Sequence, residues 1–131
     1  MLPAALSCAP LGVVALPGLG TVSGFAGRPD DHETYYAYTG FTTPTRIYRY
    51  DVTAGSSTLH FAPALKFDPD AYETRQIFYP SKDGTRIPMF LVHRKGIVAD
   101  GNNPTYLYGY GGFNIPLTPV YDAGRVLWLE Q

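Results

Sequence analysis

Nucleophilic catalysis on an α/β sheet needs a serine on a sharp strand-to-helix turn, spelled Gly-x-Ser-x-Gly, with a histidine and a carboxylate in reach. None of Ser7, Ser23, Ser56, Ser57 and Ser81 stands in that pattern. Ser23 falls in a strand-like run as a packing residue, and Ser56 and Ser57 read as turn formers. His32, His60 and His93 are separated by turns and show neither i, i+4 nor His-x-His pairing. No metal site is expected from them, and each is assigned a surface or strand-end role. A single cysteine, Cys8, excludes an intrachain disulfide and any multi-cysteine zinc site. It lies in an apolar stretch and is expected to be a buried small residue. Asp30-Asp31 and Asp68-Pro69-Asp70 fit turn and linker solvation better than acid-base work, and Arg94-Lys95 reads as a solvated strand end.

The segment richest in chemical meaning is Tyr106-Leu107-Tyr108-Gly109-Tyr110-Gly111-Gly112-Phe113-Asn114. A strand over residues 105–110 running into two glycines brings backbone N–H groups to the carboxyl edge of a sheet. That edge is where open α/β sheets bind ligands. In α/β-hydrolases the loop between the third strand and first helix supplies half of the oxyanion hole. An aromatic strand with a bulge and a glycine turn explains the same residues equally well. A phosphate loop is a poor fit, because the segment lacks Lys-Ser/Thr and any dinucleotide-binding spacing.

The elements that must position these residues are mostly strands. The chain has 14 glycines and 12 prolines, about one residue in five, which disfavours long helices. Residues 21–25, 33–39, 46–52 and 58–61 form four short β-rich runs, with turn clusters at 27–31, 40–44 and 53–57. Turns at this spacing predict an antiparallel meander, the content of one β-propeller blade or half a β-sandwich. Residues 63–71, with Pro63, Pro69 and two Asp residues, read as a linker or domain boundary. Residues 73–80 and 86–93 then flank Lys82-Asp83-Gly84-Thr85, a hairpin signal. Residues 120–131 carry Val120, Ala123, Val126, Leu127 and Leu129 at the spacing of a short helix. The second half therefore reads as an α/β start. At the N-terminus a buried strand is expected at residues 13–16. Ala5-Leu6-Ser7-Cys8 faintly resembles a lipoprotein cleavage site, but no Lys or Arg precedes Arg28. Pro3, Pro10 and Pro17 exclude a membrane-spanning helix there.

Aromatics make up 15% of the residues and charged residues only 16%, well below the roughly 25% usual in soluble domains. Either the surface is unusually aromatic or part of it is covered by something outside the chain. A net charge of −1, without a Lys/Arg block, gives no support for nucleic-acid binding.

Three stretches together resemble the prolyl oligopeptidase family, serine peptidases in which a seven-bladed β-propeller caps an α/β-hydrolase domain. They are Gly40-Phe41-Thr42-Thr43-Pro44 with Ile47-Tyr48-Arg49-Tyr50-Asp51, the run from Ile77 to Phe90, and Leu107-Tyr108-Gly109-Tyr110-Gly111-Gly112-Phe113-Asn114. The resemblance runs from about Leu16 to Gln131, leaving residues 1–15 unmatched. It implies a β-rich chain: the last antiparallel blade of the propeller in residues 1–67, a linker at 68–72, and the first strands and helix of an incomplete hydrolase domain in 73–131.

It also implies that Tyr110 donates its hydroxyl to the tetrahedral oxyanion. Phe113 would line the substrate pocket, and Gly111 and Gly112 would let the loop turn beside the scissile peptide. The implied substrates are short proline-containing peptides, cleaved after proline by a cytoplasmic, monomeric enzyme, with export left open. No cofactor, metal, nucleic acid or membrane is implied. The nucleophile, triad Asp and triad His have no counterparts in this sequence, so the chain alone is expected to be inactive. A non-catalytic β-rich interaction module, a truncated isoform or a gene-model fragment are the alternatives. Exposed strand edges and aggregation are expected of the chain on its own.

Overall fold

The computed structural model describes residue 10 and residues 12–131; Cys8 and the stretch Ala5-Leu6-Ser7-Cys8 lie outside them. The described chain begins with a four-stranded antiparallel meander: β1 (Thr21–Gly24), β2 (Glu33–Thr39), β3 (Arg46–Asp51) and β4 (Ser56–Phe61), in that spatial order. A 3₁₀ turn (Pro69–Ala71) leads into a hairpin of β5 (Tyr72–Pro80) and β6 (Arg86–Arg94), and the chain closes on α1 (Ala123–Leu129).

Tyr36 and Tyr38 carry the core of the meander, because alternate residues of a strand point to one face. Tyr36 is 1% exposed and stacks between Phe25, at 4.7 Å, and its cross-strand partner Tyr48, at 5.3 Å. Its hydroxyl donates to Ser57 Oγ across two strands, at 3.0 Å. Burial raises the pKa of the Tyr38 phenol, Tyr48 adds to the effect, and Arg46 opposes both. The neutral hydroxyl donates to Leu19 O at 3.3 Å. Tyr35, on the alternate face, is 41% exposed and meets His60 edge-on.

The hairpin is in continuous register from Tyr72↔Arg94 to Pro80↔Arg86. Its loop closes through Gly84 N to Ser81 O (2.9 Å) and Ser81 N to Thr85 O (2.8 Å), with Gly84 at φ +84°. That left-handed backbone is why an Asp-Gly pair suits the loop. Asp83 accepts from the Thr85 N–H at 3.0 Å.

Meander and hairpin meet around Phe41, in the loop between β2 and β3. Its ring packs edge-on to Phe90 of β6 (5.3 Å), and the Arg125 guanidinium of α1 lies 4.9 Å from its centre. Arg125 also donates to Val120 O (2.7 Å), while Phe67 stacks on Tyr121. Thr21 Oγ1 donates to Pro119 O (2.7 Å), and Tyr121 N donates to Thr39 Oγ1 (3.3 Å). The end of the β6–α1 connection is thereby tied to β1 and β2.

Several expectations are corrected. Residues 13–16 are not a strand: Val13 is 97% exposed and none of the four is paired with another segment. Residues 105–110 are not a strand either, although their composition is strand-like. A strand needs a neighbouring ladder, and among the described residues none pairs with this stretch; Leu107 is 80% exposed. Ser56 and Ser57 belong to β4, because Asp51 caps the preceding turn, accepting from Ala54 N at 2.8 Å, and ends it sooner. Residues 68–71 form a short ordered turn, with Asp68 capping Asp70 N at 2.9 Å ahead of the 3₁₀ turn. The C-terminal helix is shorter than expected, because Asp122 caps it by accepting from Gly124 N at 2.7 Å. Arg94 is ion-paired with Glu130 at 2.7 Å rather than simply solvated.

The described core is small: Tyr36, Tyr38, Tyr72 and Val126 are its buried hydrophobic residues. The accessible surface, 10480 Å², compares with about 6,800 Å² for a compact monomer of this mass. Large aromatic and aliphatic side chains contribute to that surface, among them Tyr106, Leu107, Tyr108, Phe113, Leu127 and Trp128. No helix among the described residues is long and apolar enough to cross a membrane.

Candidate functional site

Tyr110, Gly111, Gly112 and Phe113 lie together in the connection from β6 to α1. Two contacts give the segment its shape. The Tyr106 ring meets Trp128 of α1 edge-on, with centroids 6.0 Å apart. Further along, Ile115 N donates to Gly112 O (3.2 Å), closing a turn whose central residues Phe113 and Asn114 have φ of 54° and 55°. Two successive left-handed residues make this a type I′-like turn. Asn tolerates that backbone, but a bulky aromatic at positive φ is an outlier that costs about 1–3 kcal/mol. The turn leaves the Phe113 ring 91% exposed, as an uncovered aromatic surface beside the glycines.

Tyr110 folds back across the same turn. A Cβ on Gly112 would stand 2.9 Å from the Tyr110 hydroxyl oxygen and 3.1 Å from Cζ, so the ring occupies space that only glycine leaves open. Tyr110 is 46% exposed and lines an open concavity of about 520 Å³ with Gly111, Gly112, Asn114, Ile115 and Pro116. A phenol is a neutral hydrogen-bond donor at neutral pH. Half-exposed at this concavity, the Tyr110 hydroxyl can donate a hydrogen bond to a group bound there.

The histidines lie elsewhere. His93 Nε2 is 3.1 Å from Oε1 of Glu73, its cross-strand partner, and Arg75 binds the same oxygen at 2.9 Å. His93, next to the end of β6, therefore contacts the Glu73 carboxylate across the hairpin. His60 packs against Tyr35, and His32 contributes its carbonyl oxygen to Val52 N at 2.9 Å. Among the described residues no group of three or more His, Cys, Asp or Glu is arranged to hold a metal ion. Asp31 accepts from Arg28 N (2.7 Å) and Asp100 from Asn102 N (3.0 Å), both turn-closing contacts.

Sequence reasoning missed one feature of the site and one of the packing that joins meander, hairpin and helix. One is the left-handed Phe113-Asn114 pair, for which the Asn was the available signal. The other is the Phe41–Arg125 contact, which links residues 84 positions apart and has no local signature.

Residues 7–62 match the family model described as the prolyl oligopeptidase N-terminal β-propeller domain, a match that ends just after β4 and begins nine residues before Leu16. A prolyl endopeptidase from Elizabethkingia meningoseptica is 45% identical over 118 residues, which are 90% of this chain and 17% of that protein. A solved structure from work on two prolyl endopeptidases and their inter-domain dynamics superposes with a TM-score of 0.78 at 45% identity, covering 92% of this chain and 18% of that one. Prolyl oligopeptidase B from Galerina marginata, bound to a 35mer hydrolysis and macrocyclization substrate, superposes at 0.74 with 34% identity over 88% of this chain and 16% of that one. The chain therefore spans about one sixth of the relatives that it matches. In both fold and sequence, nearly the whole chain is similar to proteins of the prolyl oligopeptidase family.

Proposed function

We propose that this chain is a segment of a proline-specific serine endopeptidase. The segment up to residue 67, with residues 1–15 outside the resemblance, belongs to the last part of its propeller, 68–72 is the linker and 73–131 the start of its α/β-hydrolase domain. In the complete enzyme Tyr110 donates its hydroxyl to the oxyanion of the tetrahedral intermediate, and Phe113, Gly111 and Gly112 border the bound peptide. The observation that carries this reading is the Tyr110 ring folded over Gly112 at the rim of the concavity, with its hydroxyl beside the turn. Similarity to prolyl endopeptidases across 90% of the chain supports it. So do the many large apolar side chains left exposed, as expected where the rest of a longer protein packs.

The test has two parts. The longest reading frame that contains this segment should encode a Gly-x-Ser-x-Gly elbow downstream and hydrolyse a Gly-Pro reporter. The 131-residue chain alone should not. Absence of the elbow from every longer transcript refutes the peptidase assignment, and inhibitor-sensitive turnover by the short chain refutes the segment reading. In the complete enzyme Tyr110→Phe should lower kcat by about 10²–10³, with less change in KM.

A further inference from the structure

We infer that Gly112 is a positioning residue for the oxyanion donor: its missing side chain is what sets the place of the Tyr110 hydroxyl. The inference rests on the oxyanion reading of Tyr110 given above. A Cβ at Gly112 would meet three atoms of one side chain, the Tyr110 Oη at 2.9 Å, Cζ at 3.1 Å and Cε1 at 3.4 Å. These are the far end of a half-exposed side chain, not backbone. A methyl there is therefore accommodated cheaply, by swinging the ring aside. The fold survives that response, but the hydroxyl moves.

The Gly112–Ile115 turn fixes the other side of the contact. The Ile115 N–H to Gly112 O bond and the left-handed Phe113-Asn114 pair hold the Gly112 backbone where the ring crosses it. Oxyanion stabilisation depends on a donor aimed in advance at the place where charge develops, so a displacement near 1 Å costs about 10²-fold. Neighbouring glycines differ. A Cβ on Gly109 meets no atom within 4 Å.

The experiment is a double-mutant cycle in the complete peptidase that carries this segment, with kcat and KM measured on a Gly-Pro reporter. Gly112→Ala should lower kcat about 10- to 100-fold with KM within about threefold. In a Tyr110→Phe background the same substitution should lower kcat by less than about threefold, because the hydroxyl it displaces is already gone. Gly109→Ala should leave kcat within about threefold of wild type.

A kcat loss from Gly112→Ala that is equally large with and without the hydroxyl overturns the inference while leaving the oxyanion role of Tyr110 intact. A raised KM at unchanged kcat overturns it too, since the methyl would then obstruct substrate instead. An equal loss from Gly109→Ala marks a general intolerance of the loop and also overturns it. If Tyr110→Phe itself leaves kcat unchanged, the oxyanion reading fails first and the inference with it.

Discussion

Truncating Tyr36 in steps should unfold the meander in steps. Tyr36 is 1% exposed at the centre of β2, stacked on both sides and hydrogen-bonded through its hydroxyl to Ser57. Tyr36→Phe removes only the hydroxyl. Ser57 is partly exposed and water can replace the lost donor, so the cost is about 0.5–1.5 kcal/mol. Tyr36→Leu keeps an apolar side chain but loses two aromatic stacks, each worth about 0.5–1.5 kcal/mol, as well as the hydroxyl, for a total of about 1.5–4.5 kcal/mol. Tyr36→Ala opens a cavity as well and should cost about 3–5 kcal/mol, a large share of the stability of a typical domain. Tyr35→Ala, on the exposed face, should stay within about 1 kcal/mol. Equilibrium urea unfolding followed by circular dichroism gives all four values. A flat series, or a Tyr35→Ala cost equal to that of Tyr36→Ala, refutes the assignment of the core to the Tyr36 face.

Two further expectations concern stability and pH. Tyr72→Phe removes a buried hydroxyl that has no hydrogen-bond partner among the described residues, so it should leave stability unchanged or raise it; a loss of more than about 1 kcal/mol in urea unfolding would reveal a partner. The Asp83 carboxyl is held below its ordinary value of 3.8, mainly by the Thr85 N–H and then by the Ser81 and Thr85 hydroxyls. The lowered pKa means that the charged form is favoured by the fold. Its contribution to the hairpin loop is present above the ordinary value and is lost as pH falls through the lower folded value. NMR titration of the Thr85 amide should therefore show a midpoint below 3.8, abolished in Asp83→Asn; a midpoint at or above that value contradicts the bond.

Local chemistry was legible in the sequence wherever one segment decides its own conformation. The bounds of β2, the turn around Gly84 and the two strands that flank it follow from alternation and turn residues that act over a few positions. The Tyr-Gly-Tyr-Gly-Gly-Phe run was legible as a candidate site for the same reason, since its composition is its signal. Residues 105–110 show the limit. Their β-rich composition was read as a strand, yet a strand exists only with a partner, and pairing is a property of the ladder. The low charge of the sequence left two explanations open; in the structure large aromatic and aliphatic side chains such as Leu107 and Phe113 stand exposed.

By itself the sequence determined the order of the strands, their turns and the residues able to do chemistry, because these depend on neighbours along the chain. Only the tertiary structure decided that Phe41 receives Arg125 and Phe90, that Thr21 holds Pro119, and that the Tyr110 ring lies over Gly112. The first two are long-range contacts set by how meander, hairpin and helix pack. The last is short in sequence, yet it sits beside a left-handed turn that closes three residues beyond Gly112.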